Sequence, residues 1–118
     1  MQAFEISNLQ SEMERSGKRW REFLRVPALS AGLYCLPAGG EDRQQPHTED
    51  EIYYVIRGRA RFLARFGRGG EEEREVAAGA VLFVPARTEH RFHSITEDLV
   101  AFVVFGPAEG TGADGENA

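Results

Sequence analysis

From Trp20 onward the chain runs in short blocks of aromatic, β-branched and small residues, alternating with polar positions and cut by proline and glycine. That is a strand-and-turn pattern, because a period of two lines one face of a sheet with apolar side chains. It predicts strands over residues 21–25, 30–36, 51–55, 60–66, 73–76, 81–84, 89–95 and 99–105, a spacing that suits a barrel or sandwich. Gly67-Arg68-Gly69-Gly70 predicts a hairpin turn between the fourth and fifth of these, since glycine reaches the positive φ angles such turns need. Gly79 and Pro85 punctuate the segment that follows.

The two ends of the chain differ from this body. A Ser-x-x-Gln pattern from Ser7 to Gln10 and a glycine at Gly17 predict a short helix between them. After Gly106 almost nothing could be buried, so the segment cannot offset its own ordering entropy and is expected to be disordered. The expected organisation is a helical segment over 1–19, a β-barrel over 20–106 and a tail over 107–118, without internal repeats.

Strand parity then sorts the polar residues. Ile-Tyr-Tyr-Val-Ile after Glu51 argues for extended structure, which puts Glu51, Tyr53 and Val55 on one face and Ile52, Tyr54 and Ile56 on the other. Carried backward, the same alternation adds His47 and Gln45 to the Glu51 face. Both faces are otherwise apolar, as in a barrel wall packed inside and covered outside. A carboxylate and an imidazole facing such an interior are costly unless hydrogen-bonded to each other or coordinated to an ion. In the later segment His90, Phe92 and Ser94 share one face, while Glu89, Arg91 and His93 share the other.

Composition narrows the classes. At 118 residues with 42% hydrophobic content, the chain supports one modest core and hence a single domain. A net charge of −5 and no clustered basic run argue against a nucleic-acid partner. The lone Cys35 excludes an intrachain disulfide and a thiolate zinc cluster, and reads as a small buried hydrophobe. With no secretory signal and no apolar run of membrane-spanning length, a cytoplasmic protein without membrane contact is expected. Gly67 to Gly70 lacks the Lys-Ser/Thr of a phosphate loop, and no Gly-x-Ser-x-Gly elbow is present.

Taken together, the two histidine segments resemble the paired motifs of the cupin superfamily, G-x5-H-x-H-x(3,4)-E-x6-G and G-x5-P-x-G-x2-H-x3-N. His47, Glu51 and Gly58 fall at the intervals of the first, and Gly79, Pro85 and His90 at those of the second, within residues 40–94. Gln45 stands at the first histidine of the motif, Arg87 at its second-motif glycine and Ser94 at its asparagine. The resemblance implies an all-β double-stranded β-helix, or jelly-roll barrel, here with a short N-terminal helix.

It also implies a divalent transition metal in the barrel mouth, Fe, Mn, Ni, Co or Zn, held by His47, Glu51 and His90. Gln45 is then a weak amide-oxygen ligand or a pocket-wall residue, with Glu49 a weaker candidate for the same position. Tyr53 and Phe92 are expected to shape the pocket and touch its ligand. The function so implied is to bind or convert a small oxygenated molecule, for example as a dioxygenase or isomerase. The alternative is a non-catalytic binding or sensing module with a degenerate metal site, which Gln45 favours. A homodimer is expected, formed by residues upstream of Val26 and the outer face of the Ile52 strand.

Overall fold

The computed structural model describes residues 1–111. Its elements are α1 (Ile6–Ser16), β1 (Trp20–Val26), β2 (Leu29–Leu36), β3 (Asp50–Phe66), β4 (Gly70–Ala77), β5 (Val81–Val84) and β6 (Glu89–Gly106). All pairings are antiparallel, in the order β1-β2-β6-β3-β4, with β5 added to β3. This is the expected double-stranded β-helix with one short helix outside it.

Two pairs of predicted strands are continuous. Residues 51–55 and 60–66 both belong to β3, and 89–95 and 99–105 both belong to β6. β3 stays paired to β6 along its length, and register shifts between Val55 and Arg61 bend the pair so that it serves both halves of the barrel. At the bend Gly58 takes φ 104, and a Cβ there would lie 2.5 Å from the Asp98 carbonyl oxygen. Only glycine lets the two strands cross so closely.

Inward alternation along β3 and β6 builds the core, in which Tyr53, Val55, Phe62, Phe92, Leu99, Val103 and Phe105 are all buried. Outward positions follow the expected parity: Ile52 and Tyr54 are exposed opposite buried Glu51, Tyr53 and Val55. Parity fails at Ser94, which strict alternation places on the His90 face. Ser94 adopts φ 50, and this left-handed residue turns itself outward and sends Ile95 inward.

The helix starts one residue before the expected cap, with Glu5 as N-cap and no side-chain capping bond; Ser7 lies inside the first turn. Its end is as expected, since Gly17 closes it at φ 69 with its N–H bonded to the Met13 carbonyl. Leu9 and Met13, one turn apart, are its buried residues, and full burial of each contributes about 1.5–3 kcal/mol.

The segment expected to be a tail from 107 onward begins docked. Ala108 is buried and its N–H reaches the Pro27 carbonyl at 3.3 Å, while the Glu109 N–H donates to Ser30 Oγ at 2.8 Å. A methyl group suffices to fill the space beside the β1–β2 turn, and the barrel satisfies the backbone polar groups, which composition does not reveal. The rest of that expectation, over 112–118, lies outside the described residues. Among the described residues no helix is long and apolar enough to cross a membrane.

Candidate metal centre

Three parts of the chain meet at one end of the barrel. β3 begins there with Glu51 and Tyr53, and β6 begins there with His90, which pairs in register with Ala64 of β3. The loop between β2 and β3 brings Gln44 and His47 over them. Gln44, His47, Glu51 and Tyr53 line a cavity of about 140 Å³, with Trp20, Tyr34, Val103 and Phe105 on its apolar side. Trp20 reaches it because Gly32 leaves room for the indole: a Cβ at Gly32 would lie 2.4 Å from the Trp20 ring.

One ligand-capable atom from each of His47, Glu51 and His90 lies within 4.8 Å of the other two. His90 Nδ1 is 2.7 Å from the Thr88 carbonyl oxygen, an acceptor, so Nδ1 carries the proton and Nε2 of the neutral ring presents a lone pair. That lone pair faces Glu51 Oε1 at 3.0 Å and the Tyr53 hydroxyl at 3.1 Å. Glu51 Oε1 is buried and receives no hydrogen bond. Its contact with His90 becomes an ion pair only if Nε2 is also protonated.

The Tyr53 hydroxyl has one proton, and Gln44 Oε1 is its acceptor at 2.9 Å. Gln44 Oε1 in turn lies 3.3 Å from His47 Nε2. The amide orientation is set by Gln44 Nε2, which donates to Asp42 Oδ2 at 2.7 Å. Four electron-pair donors thus face one small region with too few protons among them, and such a set is stabilised by a cation. Burial pushes His90 toward the neutral form, but the Glu51 carboxylate, the Thr88 carbonyl and the nearby Asp42 charge together outweigh it and raise its pKa, so that without a metal ion a second proton is the cation this group attracts. Burial and the nearby Glu51 charge hold Tyr53 firmly protonated.

Residues 32–106 match the cupin domain family. The chain belongs to that family. A relative from Streptomyces coelicolor, an uncharacterized protein, is 43% identical over 109 residues, covering 92% of this chain and 99% of its own. Among solved structures, an RmlC-like cupin with a double-stranded β-helix fold from Methanocaldococcus jannaschii is similar at TM-score 0.67 and 17% identity, over 84% of each chain. A point mutant of Bacillus subtilis oxalate decarboxylase is similar at TM-score 0.62 and 26% identity, over 67% of this chain and 22% of the decarboxylase.

The departures of this cupin from its motifs have a backbone explanation. Arg87, at the motif's glycine, takes φ 64, and its N–H donates to the His47 carbonyl at 2.6 Å. Ser94, at the motif's asparagine, is the left-handed residue described above, and glycine and asparagine tolerate that region best. These two motif positions therefore mark backbone shape here.

Of the residues expected at the site, His47, Glu51 and His90 come together, and Tyr53 puts its hydroxyl among them. Gln45 does not: it is exposed, because the stretch before Asp50 is a loop and strand alternation does not extend back through it. Gln44 points inward instead. Glu49 is buried beside Thr48, which donates to it, and is not one of the three converging ligand-capable residues.

Phe92 packs edge-on against Tyr53 and Phe62 in the core rather than lining the cavity. His93 faces the other way, as expected, with Nε2 at 2.6 Å from Glu73 Oε1. Cys35 is half-buried and its thiol pKa is raised by burial, in keeping with an unreactive side chain. Parity reasoning missed Asp42, Gln44 and Glu109, which sit outside regular strands, and Trp20 and Tyr34, which reach the mouth from strands across the barrel.

Proposed function

We propose that this cupin holds a divalent first-row transition metal with His47, Glu51 and His90, with Gln44 Oε1 as a further donor, and binds or converts a small oxygenated molecule beside it. The observation that carries this reading is the surplus of lone pairs: His90 Nε2 faces Glu51 Oε1 at 3.0 Å while its other nitrogen is committed to Thr88. A nitrogen and oxygen donor set without thiolate suits Mn, Fe, Co, Ni or Zn.

Bound there, the ion would supply Lewis acidity toward a substrate oxygen, or a binding position for dioxygen. The chain supplies the rest. Tyr53 stays protonated, and once Gln44 Oε1 turns to the ion the hydroxyl proton it accepts is free for a substrate oxygen next to His90. Trp20, Tyr34 and Phe105 give an apolar wall to a cavity of about 140 Å³, whose size suits a small molecule. The similarity to an oxalate decarboxylase supports a small oxygenated substrate; dioxygenase and isomerase chemistry are the reaction classes to assay. The second reading, a non-catalytic binding or sensing module, is favoured by the absence of an imidazole at Gln45.

Metal analysis of the purified protein tests the site. Near-stoichiometric transition metal is expected in the wild type and in His93→Ala, and none in His90→Ala or in a His47→Ala, Glu51→Ala double variant. Equal metal in His90→Ala and His93→Ala, or a wild type that takes up no transition metal on reconstitution, overturns the reading.

A further inference from the structure

Beyond residue 106, where the cupin match ends, residues 107–111 dock beside the barrel mouth as a short strap. The strap is tied down on both sides of Glu109. Ala108 is 1% exposed, and the Glu109 N–H donates to Ser30 Oγ at 2.8 Å, with Ser30 itself 0% exposed. The Glu109 carbonyl accepts from Arg25 Nη2 at 2.9 Å. With its backbone so held, Glu109 turns its side chain into the cavity, where Oε2 stands 3.3 Å from His47 Nδ1.

An ionised carboxylate only accepts hydrogen bonds, so this contact favours the His47 tautomer with the proton on Nδ1. At the opposite nitrogen sits another acceptor, Gln44 Oε1 at 3.3 Å, whose identity as oxygen is fixed by the amide's bond to Asp42. Of the two acceptors the charged carboxylate is the stronger, so the single proton of the neutral ring is drawn to Nδ1 even without an ion, and the Nε2 lone pair is left for a metal. A carboxylate behind a ligating imidazole fixes ring orientation and raises the basicity of the ligating nitrogen.

We propose that Glu109 is a positioning residue: its carboxylate accepts the Nδ1 proton of His47 and holds the ring with Nε2 presented to Glu51 and His90, which makes the C-terminal strap part of the site. The metal role rests on the function proposed above, whereas the proton position on His47 does not.

The test uses the full chain in two measurements. Long-range proton–nitrogen NMR of the metal-free protein, at about pH 8 so that ordinary histidines are neutral, reads which nitrogen of His47 is protonated. Titration with Co2+ reads affinity. The wild type should show the Nδ1–H form, and Glu109→Ala should lose that preference and bind Co2+ about 10- to 100-fold more weakly. Glu109→Gln, which keeps an acceptor oxygen, should restore the tautomer and most of the affinity.

An unchanged tautomer and unchanged Co2+ affinity in Glu109→Ala overturn the proposal. So does a Glu109→Gln variant as impaired as the alanine one, since the acceptor would then not be what matters. A wild type that binds no Co2+ overturns the metal reading itself, and the NMR arm still decides whether Glu109 orients the ring.

Discussion

Gln44 is half-buried with its amide oxygen among the converging donors, and Gln45, one residue on, points to solvent. The difference comes from Asp42, whose carboxylate accepts from the Gln44 side chain and backbone, from the Tyr34 hydroxyl and from the Phe92 N–H. One carboxylate thereby ties the loop to β2 and β6 and aims Gln44 inward. Gln44→Ala should weaken Co2+ binding about 10-fold, the order found when groups supporting a metal site are removed. Gln45→Ala should leave it unchanged. Calorimetric titration of the two variants side by side checks this, and the reverse ranking would return the fourth position to Gln45.

At the scale of elements, the bend shared by β3 and β6 sets where Glu51 and His90 begin their strands relative to each other. Gly58 makes the bend possible. Gly58→Ala should destabilise the fold by at least ~1–3 kcal/mol, because it combines a left-handed conformation with an approach of 2.5 Å to the Asp98 carbonyl oxygen, backbone that cannot step aside. Gly17→Ala is the control, since Gly17 is also left-handed but a Cβ there would meet nothing within 4 Å. Urea unfolding should place Gly58→Ala clearly below Gly17→Ala. Equal midpoints would mean that the close crossing carries no cost of its own.

On the scale of the whole molecule, one face of the β3–β5 pair leaves four large apolar side chains in solvent. Ile52 opposes Phe83 and Tyr54 opposes Val81, and all four are between 44% and 65% exposed. Adjacent apolar side chains on a flat sheet face form the kind of patch that marks an interaction surface. A second copy of the chain is the occupant expected, as the sequence also suggested. Sedimentation at about 10–50 micromolar, a working range for moderate association, should give a dimer for the wild type and a monomer for Phe83→Glu with an unchanged circular dichroism spectrum. A monomeric wild type would leave the patch without this role.

The sequence alone determined that the body is β, where most strands run, and that Glu51 shares a face with Tyr53 while His90 opposes His93. These are consequences of a side-chain period of two, which is written in neighbouring residues. Both the alternation carried backward and the cupin motif spacing pointed to His47, but it lies in a loop where no period applies, so only the motif spacing is a sound guide to it.

Tertiary structure alone decided that Gln44 rather than Gln45 faces the donors, that Ser94 turns out and Phe92 packs in the core, and that Glu109 reaches the mouth. In each case the deciding contact lies far off in the chain or on an irregular backbone: Asp42 meets Phe92 fifty residues away, and Glu109 is anchored by Ser30 across seventy-nine. Local patterning fixes which way a strand residue points. Loop and terminal side chains are aimed by whatever distant polar group satisfies them, and only the folded chain brings that group near.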